Sequence, residues 1–294
     1  MIEGPWPRSM GVLSACILVM LAYTLMVAWL HLVALIVAVG RAGPEALAWQ
    51  SVTSDPLNVA IATALGIGCA LWLGKAWYDP NASWAGLLAL RATPRHTIIL
   101  AVVCGLALQV PLTELQNVAE YFFPVSPEQK QALYRMLSPN GWRKMLGTLF
   151  SLAAVAPVCE ELLFRGLILR GLRRTHGWFL ALSVSSVLFG LCHIRLAAAL
   201  IPACAAGAIL GAIALRARST WPAIASHAAI NATPILLSER LIPVPGFNVV
   251  QEGVTHVPLT LLLVASAVAF IALVALMRLG AGDPHLEDGK NVPG

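Results

Sequence analysis

Charge is what this chain lacks. Of its 294 residues 11% are Asp, Glu, Lys or Arg and 59% are hydrophobic, and the mean hydropathy is +0.79. Soluble domains carry roughly 25% charged residues, so this chain has too few to cover a surface that faces water. Its apolar runs are long and continuous, which excludes the short alternating segments of a membrane β-barrel. Cysteine is sparse and unpatterned. Cys16, Cys69, Cys104, Cys159, Cys192 and Cys204 lie in or beside apolar runs, with no CxxC pair among them. They read as small buried hydrophobes and exclude a secreted disulfide framework. HExxH is absent, and so is the internal repeat with paired broken helices that marks many transporters.

What is present is an all-α, polytopic helix bundle. The formal net charge of +5 comes from Lys and Arg gathered between apolar runs. That placement suits anionic lipid headgroups, not nucleic acid. Tryptophans stand near the ends of several runs, as in an interfacial belt. The first run, about residues 11–39, exceeds a signal-peptide core of roughly 7–15 residues. Further spans are read at about 57–77, 97–115, 143–172, 178–192, 196–215, 221–237 and 257–279, eight in all. They make one transmembrane domain, residues 1–280, with a polar tail at 281–294. Residues 82–96 read as a short interfacial piece. Ser126-Pro127-Glu128 opens a helix expected over 127–137. Gly66, Gly68, Gly207 and Gly211 are expected to let helices approach closely. Eight spans place both termini on one side with Arg170, Arg173, Arg174, Arg216 and Arg218, and the positive-inside rule makes that side cytoplasmic. A bacterial inner (cell) membrane is the expected location.

Ionisable groups inside such runs are expensive, so they are functional candidates. Glu160, Glu161 and Arg165 interrupt one run; His193, His227 and Asn231 interrupt two others. Adjacent helical residues diverge by about 100°, so Glu160 and Glu161 face different ways. Glu161 and Arg165, at i,i+4, are expected to pair, leaving Glu160 for a cavity. His227 and Asn231 share one face by the same spacing. Helical rise puts Glu160 about 18 Å and His193 about 22 Å from the turn between their spans, so the two reach similar depth. Pro157 is expected to kink its helix and free the Ala153 carbonyl beside the site. A Glu and a His at one point hold and deprotonate water; a His–Asn pair stabilises an oxyanion. Peptide-bond hydrolysis without a covalent intermediate follows as the candidate chemistry. Zinc held by Glu160, His193 and His227 is the alternative.

Taken in order, Glu160-Glu161…Arg165, Phe189…His193 and His227…Asn231 resemble the CAAX-processing and bacteriocin-processing (CPBP, or Abi) family of intramembrane proteases. The resemblance covers about residues 141–237. It implies an eight-helix bundle with a cytoplasm-facing cavity. By this resemblance Glu160 and His193 activate water, His227 and Asn231 stabilise the oxyanion, and Glu161 and Arg165 support the site. It further implies an endopeptidase acting on a peptide or protein substrate, lipidated or membrane-embedded, among membrane lipids and without nucleic acid. No cofactor is implied by the glutamate mechanism; zinc belongs to the older, metalloprotease view of the family. A non-proteolytic immunity or scaffold protein of the same fold, and a transporter, are the competing classes.

Overall fold

A computed structural model describes residues 8–40, 55–193, 197–249 and 253–279. Within these, α1 (Val12–Gly40) lies along α2 (Pro56–Tyr78), and a single turn, α3 (Trp84–Leu87), leads to α4 (Arg95–Glu120). The amphipathic α5 (Pro127–Leu137) follows. It starts with a capping box in which Ser126 and Gln129 each bond the other's backbone N–H. A central helix then runs unbroken through residues 142–175. It is wound as α6 (Trp142–Thr148), a π stretch (Leu149–Val155), α7 (Ala156–Glu161), a second π stretch (Leu162–Leu169) and α8 (Arg170–Thr175). After it come α9 (Trp178–Leu191), a 3₁₀ turn (Ala197–Ala199), α10 (Leu200–Ala217), α11 (Trp221–Leu236) and α12 (Leu259–Leu279). Helix α4 packs against both α11 and α12, and α9 packs along α10. The first π stretch contacts α2 on one side and α11 on the other, so the central helix joins the two halves.

Among the described residues five helices are long and apolar enough to cross a membrane: Val12–Val37, Pro56–Tyr78, Arg95–Glu120, Ala197–Ala217 and Leu259–Leu279. Their outward faces carry exposed Leu13, Met20, Trp72, Phe270 and Ile271, a surface only lipid tolerates. This is an integral membrane protein. The other three runs read as spans are the central helix, α9 with 14 residues and α11 with 16. At 1.5 Å per residue α9 extends about 21 Å, less than a hydrocarbon core of about 30 Å. These three are the elements that carry the polar groups. The polar tail lies outside the described residues.

Residues 82–96, expected at the interface, are largely exposed, with one short buried stretch. Leu87, Leu88 and Ala89 are buried. Arg170 donates to the Gly86 carbonyl at 2.9 Å and the Thr220 hydroxyl to that of Leu88 at 2.6 Å. A Cβ on Gly166 would touch Leu88. That stretch can be buried because the central helix and the N-cap of α11 supply donors for its carbonyls, which would otherwise need water. Of the glycines, Gly66, Gly207 and Gly211 do face neighbours at close range, whereas nothing lies within 4 Å of a Cβ at Gly68.

Candidate active site

Glu160 and Glu161 end α7, and the helical twist sends them apart. Glu161 is completely buried. Its Oε1 accepts from Arg165 Nη1 at 2.6 Å and from His227 Nδ1 at 2.8 Å. Arg165 is equally buried, and its Nη2 donates to the Gly207 carbonyl at 2.9 Å. Gly207 is small because the backbone of Ser186 on α9 passes there. Three helices are thereby tied to one carboxylate. A carboxylate paired with Arg only accepts, so the proton on His227 sits on Nδ1, and in the neutral ring Nε2 bears a lone pair.

Glu160 points elsewhere. Its Oε2 lies 4.0 Å from His193 Nε2, with 14% of the Glu160 and 36% of the His193 side chain exposed. His193 follows the end of α9 in a turn, at the opposite end of that helix from the basic turn at Arg173 and Arg174. Its Nδ1 bonds the Phe189 carbonyl at 2.8 Å. A carbonyl accepts only, so here too Nδ1 carries the proton and Nε2 is the acceptor. The Phe189 ring sits among these groups, with its centroid 4.7 Å from the His193 ring, 5.6 Å from the His227 ring and 4.5 Å from Arg165 Cζ. That placement gives the FxxxH spacing a packing reason.

Asn231 donates through Nδ2 to the Leu152 carbonyl at 2.8 Å. The reason is the π winding. Ala156 N–H bonds Ser151, five residues back, so the next residue in that register would bond Leu152. That residue is Pro157, which has no N–H. The freed carbonyl is therefore Leu152 and not Ala153, and Asn231 from α11 satisfies it. One N–H of Asn231 and the N–H of His227 are thus already engaged. The second Asn231 N–H and His227 Nε2 remain.

Sequence reasoning missed Tyr23. From α1 it lies beside Cys192 and within electrostatic reach of Glu160. A tyrosine alone in an apolar run, in a chain with four tyrosines, was the available signal. All six cysteines are free, and His31 bonds its own helix at the Val27 carbonyl. Among the described residues no three His, Cys, Asp or Glu side chains gather as a metal site, and Glu160, His193 and His227 do not form such a group.

An integral membrane protein with a buried His–Glu–Arg cluster and a second, half-open Glu–His pair is a narrow class. A family model, type II CAAX prenyl endopeptidase Rce1-like, matches residues 142–233. That stretch contains all six polar groups, and its similarity supports the broader CAAX-protease superfamily. No curated protein and no solved structure matches.

Proposed function

We propose that this chain is an intramembrane endopeptidase of the glutamate type, nearest in pattern to the CPBP (Abi) proteases. The observation that carries the reading is the spacing of Glu160 and His193. At 4.0 Å the pair is too long for a direct hydrogen bond. Both facing atoms are acceptors when Glu160 is ionised and the His193 ring neutral. Two acceptors so placed are joined by a group that donates twice, and water is such a group. A water giving one hydrogen to each keeps an oxygen lone pair for a substrate carbonyl.

The proposed step follows. The water oxygen bonds to the carbonyl carbon as Glu160 takes one of its protons. The oxyanion meets the free N–H of Asn231. His227, held at Nδ1 by Glu161, stands one turn before Asn231 on α11. The C–N bond then breaks and the leaving nitrogen takes the proton from Glu160. Arg165 holds Glu161 in place throughout. The substrate is a membrane-embedded or lipidated peptide or protein, and no cofactor enters any step.

Cells lacking the protein and resupplied with either wild type or Glu160→Gln test this. Membrane peptides that vanish with wild type must persist with the variant. Equal processing by both overturns the assignment of the base. Thorough chelation of the purified enzyme is expected to leave its rate unchanged; a loss restored by zinc returns the metal alternative.

A further inference from the structure

Away from the candidate site, a second polar constellation builds a cleft at the end of the bundle where α4 finishes. Glu114 on α4 accepts from His256 Nδ1 at 2.5 Å and from the Val257 N–H at 2.9 Å. Asn117, one turn on, donates to the Gly246 carbonyl at 2.7 Å. Lys130 on α5 pairs with Glu120 and donates to the Gly253 carbonyl at 2.8 Å. These bonds pin the connection between α11 and α12 against α4 and α5 and preform a cleft of about 850 Å³, counting its open mouth.

The walls are uneven in what they leave unused. Asn117 and Asn248 are committed to loop carbonyls. Lys130 and Glu120 cancel each other. Among the described residues, the side chains of Gln116, Tyr134 and Ser138 line the cleft and make no hydrogen bond. They come from α4 on one side and from the end of α5 on the other. Pro234 on α11 also lines the cleft. It lies one turn, about 4.5 Å of helix, beyond Asn231, and its missing N–H leaves the Ile230 carbonyl without a helical partner. Among the described residues the cleft offers an amide, a phenol and a hydroxyl, with no uncompensated charge.

We propose that this cleft binds the polar, extended part of the peptide substrate through its main-chain amides, an inference that rests on the hydrolase reading. A peptide backbone supplies donors and acceptors in alternation and carries no charge, as these walls require. An anionic lipid headgroup would need a free cation, and Lys130, the only lysine lining the cleft among the described residues, is neutralised by Glu120.

The test uses full-length Glu160→Gln protein in detergent micelles, so that nothing is consumed. The probe is a blocked, uncharged octapeptide of Ser, Asn and Ala with one fluorophore, followed by anisotropy. Saturable binding is expected, displaced by the unlabelled peptide. Tyr134→Phe and Ser138→Ala, which each remove only a hydroxyl, are expected to weaken it by about two- to tenfold apiece. No saturation, equal affinity in both variants, or displacement by phosphatidylglycerol vesicles but not by unlabelled peptide overturns the proposal. If wild type and Glu160→Gln process membrane peptides alike, the hydrolase reading fails on its own, whatever this binding shows.

Discussion

Glu160 and Glu161 are neighbours in the chain and opposites in environment, and their substitutions separate site from scaffold. Glu161 is wholly buried with two donors on one oxygen. Removing its charge leaves the Arg165 guanidinium buried and unpaired, which costs about 3–5 kcal/mol. Glu161→Gln is therefore expected to lower the thermal midpoint in detergent sharply and to lose processing along with the fold. Glu160 has no direct hydrogen bond to His193, only a contact at 4.0 Å in a partly open setting. Glu160→Gln is expected to keep the wild-type midpoint while slowing cleavage by roughly 10²–10⁴, the usual worth of a general base. Thermal unfolding followed by intrinsic tryptophan fluorescence, run beside an activity measurement, checks both. A Glu160→Gln protein as unstable as Glu161→Gln would place Glu160 in the scaffold.

At the scale of helices, periodicity and capping chemistry carried far into the fold. The α5 bounds are those expected from its Ser-Pro start, and the pairing of Glu161 with Arg165 follows from i,i+4 spacing. What periodicity hides is a change of period. Nothing in Leu149–Val155 announces π winding, yet that extra residue per turn moves the carbonyl freed by Pro157 from Ala153 to Leu152 and decides what Asn231 bonds. Contacts between distant segments were equally out of reach: Tyr23 beside Cys192, His227 on Glu161, and the burial of Leu87–Ala89. One such contact positions the site. A Cβ on Gly105 of α4 would stand 2.2 Å from the Ser226 carbonyl and 2.9 Å from Ala229 Cβ, either side of His227. Gly105→Ala must push α11 away, at a cost of about 1–3 kcal/mol for overpacking. Cleavage is expected to fall more than the midpoint does, because His227 moves with α11. Unchanged kinetics in this variant would mean that the His227–Glu161 bond tolerates a shifted helix.

Across the whole molecule the polar connections sort to two ends of unlike charge. At one end Arg8 N–H bonds the Tyr78 carbonyl, Thr175 bonds Met10, Ser219 bonds Arg91, and Arg216 Nε bonds Met277. These bonds gather Arg8, Arg91, Arg170, Arg173, Arg174, Arg216, Arg218 and Arg278 on one rim, with Asp79 an acid near them among the described residues. The opposite rim mixes Lys130, Arg135, Arg143, Lys144 and Arg240 with Asp55, Glu120, Glu128 and Glu239. Asp and Glu weigh little in the positive-inside rule, but the excess of Lys and Arg weighs much. We therefore propose that the arginine rim faces the cytoplasm, where α1 begins and α12 ends, and that the peptide cleft and the His193 side of the site face the other way. That is the reverse of the cytoplasm-facing cavity implied by resemblance, since α9 carries His193 away from Arg173 and Arg174 along its whole length. A fluorescent protein inserted at His176–Gly177 is expected to fold and glow, as it does only in the cytoplasm. A protease site placed between Pro139 and Gly141 is expected to be cut in right-side-out vesicles and spared in inverted ones. The converse cutting pattern would turn the bundle over and return the site to the cytoplasmic side.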